Sequence, residues 1–356
     1  MRIEAQMLDL HEASKLHAGA TYLKDGLSAA ADFSGPGSFE IPDFEREITD
    51  VIRRRSPSFM RLAGLGCMVH ATGHPHRYVE QLAIATATAT DPRAITPTPS
   101  GAQRVERAAF IKATVAQTNF SHFDVEVNAQ QGKFANLEAK DIEDIANAIV
   151  VKNGQMLWKG SDTSMLTPTT NEWVGGLQQI VTGGNITNIA KGASIIDTIK
   201  TVVSAMLASE TFNAIPTAIY CNPLAANYID QEAKASQIRM NEVEFVAGVK
   251  VSGIMTQAGV LPMPSDPFLS ELTTAQLSAL GLSSLSSMGA THCYPIVIST
   301  EEMIEMPYVN PNGDWKPRVF QLGLLSGLQG QFVGINYMAA VFKGASYAHA
   351  LVLVYV

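Results

Sequence analysis

Apolar side chains recur at helical spacing most clearly between residues 136 and 158. Asn136 is a suitable N-cap for this helix, and Glu138 and Asp141 suit its first turn, where the helix dipole favours acidic groups. Gly154 costs about 1 kcal/mol relative to alanine inside a helix, so a break at this glycine is the alternative. The buried stripe is predicted to consist of Ile142, Ile145, Ala146 and Ile149.

A second helix is predicted from Ser194 to about Ser209, because Ser194 followed by Asp197 is typical of a capping box. The next segment, PTAIYCNP, is predicted to form a short strand and an Asn-Pro turn that begins the helix LAANYIDQEA. Helix, strand and helix in this order indicate a mixed α and β domain. The buried stripe of the second helix is predicted to consist of Ile195, Ile199, Val202 and Met206.

Between about Thr72 and Thr118 the pattern changes to a period of two. LAIATATAT and the returning AAFIKATVA are predicted as the strands of a long hairpin, and DPRAITPTPSG between them contains three prolines and a glycine, which is typical of a loop. Small Ala and Thr side chains bury little apolar area, and an isolated two-stranded ribbon is marginal in water, so we expect a neighbouring subunit to stabilise it. The alternative is an ordinary internal sheet. The candidate contact residues at the tip are Asp91, Pro92, Arg93, Ile95, Pro97 and Pro99.

The remaining segments are predicted as an arm, a connection and a series of strands. Residues 1–42 have the weak periodicity of an arm that is ordered by what it lies against, and residues 44–55 are predicted to form a short helix that Pro57 stops. SDTSMLTPTTNEWVGGLQQIVTGGN is expected to be a surface connection. Strands are expected in VEFVAGVKVSGIMTQAGVLPMP, HCYPIVIST, MIEMPYV and the nearly uncharged stretch that ends in AHALVLVYV, a predicted buried strand.

Composition narrows the classes of function. Of the 356 residues, 46% are apolar and only 16% are charged, whereas soluble domains have about a quarter of their residues charged. This favours a surface that partners largely cover. The net charge of −8 argues against a protein that grips nucleic acid as a whole. The basic run Arg53, Arg54 and Arg55 has two interpretations, a solvated helix end or an inner-face patch toward packaged nucleic acid or an acidic neighbour.

The sequence contains no recognisable catalytic motif, so we predict neither an enzyme nor a cofactor, metal or catalytic site. Cys67, Cys221 and Cys293 lie far apart, which indicates neither a disulfide framework nor a zinc site. No segment has the form of a secretory signal or the length of a membrane span. Other chemistry-bearing residues receive structural interpretations: His70, His74 and His76 as loop residues, Glu301, Glu302 and Glu305 as solvated acids at a strand start, and Trp158, Trp173 and Trp315 as core or interface anchors.

The order of these elements resembles the major capsid protein family of tailed phages, whose Hong Kong 97-like fold is shared with encapsulins. The resemblance rests on the hairpin, the long helix ending in MLWKG, VGGLQQI in a polar loop, SIIDTIKTVVSAM, PTAIYCNP and VFKGASYAHALVLVYV, in this order over residues 72–356. It implies an α+β fold with four parts: an N-terminal arm (1–71), an extended loop (72–118), a peripheral domain with a long spine helix (119–185 and 299–330) and an axial domain (186–298 and 331–356).

The resemblance implies a major capsid protein that forms pentamers and hexamers in the icosahedral head of a tailed bacteriophage. The expected partners are other copies of the chain, a separate scaffolding protein, a portal, a decoration protein and packaged double-stranded DNA bound non-specifically, with no membrane. The expected location is the virion, after assembly in the host bacterial cytoplasm. An encapsulin-like compartment and an α/β enzyme without a local motif are the alternatives. Some relatives crosslink a loop lysine to an asparagine, for which Lys112 and Asn310 or Asn312 would be the positions, but no crosslink is predicted.

Overall fold

The computed structural model describes residues 55–87, 89, 91, 93, 101–131, 137–236, 241–246, 249–326 and 329–356. These residues form an α+β body with two main sheets, a small three-stranded sheet and a separate two-stranded ribbon. None of the helices in these ranges is long and apolar enough to cross a membrane.

A four-stranded sheet lies at the centre of the body, with the strand order β5-β15-β10-β6. The last strand, β15, pairs in parallel with β5 and antiparallel with β10. Alternate residues of β15 enter different hydrophobic clusters, Leu351 and Leu353 on one face and Val352 and Val354 on the other, because successive side chains of a strand point to opposite faces. Both faces are therefore covered. The strands are β5 (Ile186–Ile189), β6 (Ala218–Cys221), β10 (Cys293–Ser299) and β15 (His349–Tyr355).

Two helices and a small sheet share one of these clusters. The helix α5 buries the predicted stripe Ile195, Ile199, Val202 and Met206, which confirms the helical period read from the sequence. Its N-cap is Ser194, whose hydroxyl accepts from the Asp197 amide. The elements on this side are α5 (Ile195–Leu207), α6 (Pro223–Ala235), β7 (Asn241–Val246), β8 (Val249–Thr256) and β9 (Gly259–Pro262).

The long helix α3 (Leu137–Lys159) covers one face of the second sheet. It is continuous through Gly154, where an added Cβ would lie 2.6 Å from the Cβ of Ser56, so a close approach of two segments requires this glycine. Ile145 and Ile149 pack against Phe332, whereas Ile142 is 38% exposed, so the prediction that Ile142 belongs to the buried stripe is wrong.

The second sheet has the order β1-β11-β13-β12, and β14 pairs with β11. β4 pairs with the edge of β13 opposite β12. Its longest pairing joins all ten residues of β13 to β4. The helix α2 (His122–Gln131) follows β4 directly. The strands are β1 (Met68–His70), β4 (Lys112–Ser121), β11 (Ile304–Tyr308), β12 (Arg318–Ser326), β13 (Gln329–Met338) and β14 (Val341–Phe342).

Several predicted elements need correction. Pro57 is the first residue of a helix, α1 (Pro57–Gly64), since Ser56 caps it and proline suits the first helical position. The helix predicted over residues 44–55 lies outside the described residues except for Arg55. The supposed surface connection contains the helix α4 (Gly176–Gly183), which ends at a left-handed Gly184. LAIATATAT is a strand only at its first two residues, because β2 ends at Ala83. Two 3₁₀ turns (Ser286–Met288 and Glu301–Met303) and the short helix α7 (Thr274–Ala279) complete the elements.

Candidate subunit-contact surfaces

The ribbon of β2 (His76–Ala83) and β3 (Gln103–Ala109) forms a sheet of its own. The two strands pair only with each other, from His76 opposite Ala109 to Ala83 opposite Gln103. Val79 is 65% exposed and Val105 is 39% exposed, and residues 103–107 are all exposed. A hairpin is therefore present within residues 72–118, but its strands are not the predicted ones. β2 and β3 contain only the first two residues of LAIATATAT and of AAFIKATVA, and residues 112–121 enter the large sheet as β4.

Polar contacts hold the base of the ribbon on the body. Glu80 accepts from the Gly344 amide at 2.5 Å and forms an ion pair with Arg107. Lys343 pairs with Glu305 and lies 5.5 Å from the centre of the Tyr78 ring. The sequence analysis did not single out Tyr78, Glu80 or Lys343, and it interpreted Glu305 as a solvated acid, whereas Glu305 is 25% exposed and pairs with Lys343. The period-two pattern of His76, Tyr78 and Glu80 was the available signal, because it places all three on one face.

Only part of the predicted hairpin tip is described. Asp91 and Arg93 are exposed, and the Asp91 carboxylate accepts from the Arg93 amide at 2.9 Å, which is a local turn. Pro92, Ile95, Pro97 and Pro99 lie outside the described residues. In the predicted basic patch, Arg55 is exposed and donates to Asn147 Oδ1 on α3 at 2.6 Å, while Arg53 and Arg54 lie outside the described residues.

A second exposed apolar surface lies on the large sheet, on the face opposite α3. We name it the outer sheet face and define it by Val115, Phe320, Leu322, Val333 and Ile335. Cross-strand pairing places them together, since Ile335 lies between Val115 and Arg318, and Val333 is paired with Phe320. Val115 is 54%, Phe320 44% and Leu322 41% exposed. Isolated apolar residues are ordinary on a protein surface, but an exposed cluster is typical of a contact site.

A buried ion pair ties α1 to the body. Arg61 donates two hydrogen bonds to the Glu301 carboxylate, at 2.5 and 2.9 Å. The same carboxylate accepts from the hydroxyl groups of Tyr220 and Thr217. Burial and the Glu301 charge raise the pKa of Tyr220 well above its usual value. The interpretation of Glu301 as a solvated acid is therefore wrong: it is 4% exposed and its charge is fully engaged.

A second buried contact fixes the start of α1. The Ser56 hydroxyl donates to Asp266, whose carboxylate also accepts from the Trp158 indole at 3.3 Å. Trp158 and Trp173 are core residues, as predicted, and Trp315 packs against the same core. The part of the predicted arm (1–71) that forms α1 is therefore attached to the body through Ser56 and through Arg61.

The other singled-out residues have structural roles. His70 Nε2 lies 3.1 Å from the Asn310 carbonyl oxygen, and His74 packs edge-on against Phe110. The Lys112 ammonium donates to the Thr170 carbonyl at 2.6 Å and lies 3.5 Å from the Asp162 carboxylate. Lys112 is thus engaged within its own chain.

All three thiols are free and buried, and burial raises the pKa of Cys67 to about 11 and of Cys221 and Cys293 to about 12. Thiols of this kind are unreactive, because the thiolate is the nucleophile. In the described ranges, His, Cys, Asp and Glu side chains form no group of three that could hold a metal ion.

Comparison with solved structures identifies the fold. The chain superimposes on the capsid subunit of a native GTA particle with a TM-score of 0.60 and 11% identity, covering 92% of this chain and 99% of that chain. The acidic stable capsid of Helicobacter pylori bacteriophage KHP30 matches with a TM-score of 0.60, 9% identity and coverages of 91% and 99%. The holo-SrpI encapsulin complex from Synechococcus elongatus PCC 7942 matches with a TM-score of 0.55, 12% identity and coverages of 91% and 94%.

No protein-family model and no curated protein sequence matches the chain. At such low identity the structural matches establish the fold alone. The chain has the α+β Hong Kong 97-like fold of capsid and encapsulin subunits, and the fold predicted from the sequence is confirmed.

Proposed function

We propose that the chain is the major capsid protein of a tailed bacteriophage, which assembles into the icosahedral head shell around packaged double-stranded DNA. One observation carries the proposal: a chain with the fold of shell subunits has a ribbon whose two strands pair with no other strand among the described residues. Isolated two-stranded ribbons are marginal in water. Adjacent copies of the chain would supply the missing contacts.

The exposed apolar residues support the same proposal. Val79 on the ribbon and Val115 and Phe320 on the outer sheet face are all more than 40% exposed. In a closed shell each copy uses several such surfaces, and the same contacts repeat by symmetry. Affinity is then spread over many weak contacts.

The expected assemblies are pentamers and hexamers of this chain in a virion, formed in the host bacterial cytoplasm. A separate scaffolding protein, a portal and a decoration protein are the further partners we propose. Contact with DNA would be non-specific, and it would be weak because a chain with a net charge of −8 is not attracted as a whole to the phosphate backbone. The tip residues of the ribbon and the basic residues at positions 53–55 remain the proposed contacts with a neighbouring subunit and with the packaged interior.

We propose a structural role without catalysis, supported by the way the buried polar groups are used. Glu301 is engaged by Arg61 and Tyr220, and Asp266 by Ser56 and Trp158, so these acids stabilise the body. A screen for hydrolase and nucleotide-binding activity tests this role. Turnover that a point substitution abolishes would contradict it.

The direct test of assembly is electron microscopy of the purified chain, alone and with a co-expressed scaffolding protein. We expect shells or capsomers. Deleting residues 91–101, the ribbon tip, should leave the subunit folded, with an unchanged melting temperature, and should reduce assembly at least tenfold. A tip of equal length made of glycine and serine is the control that separates loss of reach from loss of the tip side chains. Unaltered assembly of the deletion variant would refute the role of the tip.

The encapsulin-like compartment is the second candidate, because one matching structure is an encapsulin complex. Capsid structures have TM-scores on both sides of the encapsulin's 0.55, 0.60 for the native GTA particle and 0.53 for Mycobacterium phage Ogopogo, so these scores do not separate the two candidates. Small shells that form without a scaffold and carry a protein cargo would favour the compartment. Shells that require a scaffold and contain DNA would favour the phage head.

A further inference from the structure

The segment MLWKG, which ends the long helix α3, places a lysine in an unusual setting. Lys159 is the last residue of α3, and it lines an open cleft of about 290 Å³. Its ammonium donates to Ser270 Oγ at 2.8 Å and to the Glu271 carbonyl oxygen at 2.9 Å. A lysine ammonium has three protons to donate, so these two bonds leave one proton for a further acceptor.

The charge of Lys159 lacks a carboxylate partner in the part of the chain that the structure describes. No ion pair between described residues involves Lys159. Lys152, which lines the same cleft, pairs with Glu172 at 2.5 Å. Burial lowers the pKa of Lys159 to about 8, because desolvation disfavours the charged form, and the charge of the Glu271 carboxylate offsets only part of this effect. A half-buried ammonium whose direct hydrogen-bond acceptors are all neutral is unfavourable in the isolated subunit, and an anion in direct contact would relieve it.

The cleft has the features of a site for a small anionic group. The side chains of Gln155 and Ser270 provide further polar atoms, and Pro267 and Phe268 form an apolar wall that suits an aliphatic stem. A nucleic-acid backbone is a poorer fit, since it requires several cations in a row, and Lys152 of the same cleft is already paired with Glu172. A single carboxylate on a short stem requires only the one ammonium of Lys159.

We propose that this cleft receives the carboxylate of an aspartate or glutamate from a neighbouring copy of the chain, which pairs with Lys159 when subunits assemble. The inference rests on the proposed function, because it requires a neighbouring copy. The chain has 33 acidic and 25 basic side chains, so acids are in excess to serve as the partner. Such a contact would couple assembly to the end of the long helix and to the loop that carries Ser270 and Glu271.

Zero-length crosslinking of assembled particles tests the pairing. A carbodiimide joins an amine and a carboxylate that are in contact, and particles assembled from equal amounts of ¹⁴N- and ¹⁵N-labelled subunits distinguish crosslinks between subunits from those within one. We expect a mixed-isotope peptide pair in which Lys159 is joined to an acidic residue. The absence of such a pair in well-formed particles, or a link only to Glu271 or Glu172 of the same subunit, would overturn the inference.

Amine labelling provides a second readout that does not depend on crosslinking chemistry. Acetylation of Lys159 at pH 8, followed by mass spectrometry, should be at least tenfold slower in particles than in unassembled subunits. Lys316, which is 71% exposed and lies 3.8 Å from Asp314, is the reference lysine for the comparison. Equal slowing of both lysines would indicate general occlusion and would contradict a specific pairing.

Substitutions separate the loss of charge from the loss of fold. Lys159→Gln should keep the melting temperature of the subunit and reduce assembly, Lys159→Arg should retain assembly in large part, and Lys316→Gln should behave as the parent chain. Normal assembly of Lys159→Gln would overturn the inference. If the parent chain itself forms no particle under any condition, the proposed function fails first, so the two failures are distinguishable.

Discussion

The central strand β15 and the ribbon strand β2 have similar lengths but opposite environments. All seven residues of β15 are buried, and the strand has a hydrogen-bonded neighbour on each side. β2 has one neighbour, β3, and its alternate residues are exposed. The difference shows that strands of similar length differ in how far one chain completes them: β15 is paired on both sides, whereas one edge of β2 is unpaired among the described residues.

Polar contacts follow the same division. In the body, the side chains of Arg61 and Glu301 are 12% and 5% exposed, and the Glu301 carboxylate accepts hydrogen bonds from both Arg61 and Tyr220. On the ribbon, Arg77 and Glu106 form a 2.9 Å pair whose side chains are 67% and 57% exposed. Exposed pairs contribute little because water screens them, whereas breaking a buried pair leaves an uncompensated charge. The exposed pair therefore adds little, and the ribbon is fixed mainly at its base, where Glu80 accepts from the Gly344 amide.

The largest expected effect on the stability of the subunit comes from breaking the buried ion pair of Arg61 and Glu301. Glu301→Gln should lower the free energy of unfolding by about 3 to 5 kcal/mol, because the Arg61 guanidinium loses its counter-charge inside the body. Glu106→Gln on the ribbon should change it by at most about 1 kcal/mol. Urea denaturation of unassembled subunits measures both. Equal effects of the two substitutions would contradict the division between body and ribbon.

Apolar truncation sharpens the comparison between the two strands. Leu353→Ala in β15 should cost about 2 to 5 kcal/mol, since it removes a fully buried side chain and leaves a cavity. Val79→Ala in β2 should cost less than about 0.5 kcal/mol in the subunit and should instead weaken assembly. Denaturation and particle yield are measured together. A large loss of subunit stability in the Val79 variant would show that the ribbon packs on its own body.

The pH dependence of stability tests the burial around β15. His349 is fully buried, its Nδ1 lies 2.8 Å from Ser299 Oγ, and burial lowers its pKa to about 4. The unfolded chain takes up a proton near pH 6.5 and the folded chain only near pH 4, so stability contributed by the neutral imidazole is lost as pH falls through this window. The loss should approach about 3 kcal/mol.

Replacing His349 separates its contribution to the pH dependence of stability from the contribution of the acidic residues. His349→Gln should show a shallower decline of unfolding free energy between pH 6.5 and 4 than the parent chain, whatever its stability at pH 7. Parallel profiles for the two proteins would mean that His349 is protonated in the folded state, and the burial argument for this strand would fail.

Sequence patterns were sufficient to predict an element and its buried residues where local periodicity and burial agree. The buried strand AHALVLVYV could be predicted directly because both of its faces are apolar. The stripe of α5 could be predicted because its apolar residues recur at helical spacing. The patterns were insufficient where tertiary contacts decide. Glu301 looked like a surface acid because its partner Arg61 is 240 positions away in the chain. The Ala and Thr alternation after Ala83 predicted a strand, but no partner strand pairs with it among the described residues.

The candidate contact surfaces were only partly predictable for the same reason. A hairpin within residues 72–118 was predicted from the alternation of small Ala and Thr side chains, whereas the strands that form it are His76–Ala83 and Gln103–Ala109. The outer sheet face did not, since its residues come from β4, β12 and β13 and meet only through the register of the sheet. Lys159 could be recognised as the end of a helix, but its missing counter-charge is visible only once Ser270 and Glu271 are placed beside it.

Amide hydrogen exchange of the ribbon, compared between unassembled subunits and assembled particles, tests the central claim most directly. In the subunit, the amides of β2 and β3 should exchange rapidly while those of β10 and β15 are protected, because the ribbon has few contacts of its own. In particles, exchange of the ribbon amides should slow by at least a hundredfold. Ribbon amides that are already as protected as those of β15 in the solitary subunit would contradict the account.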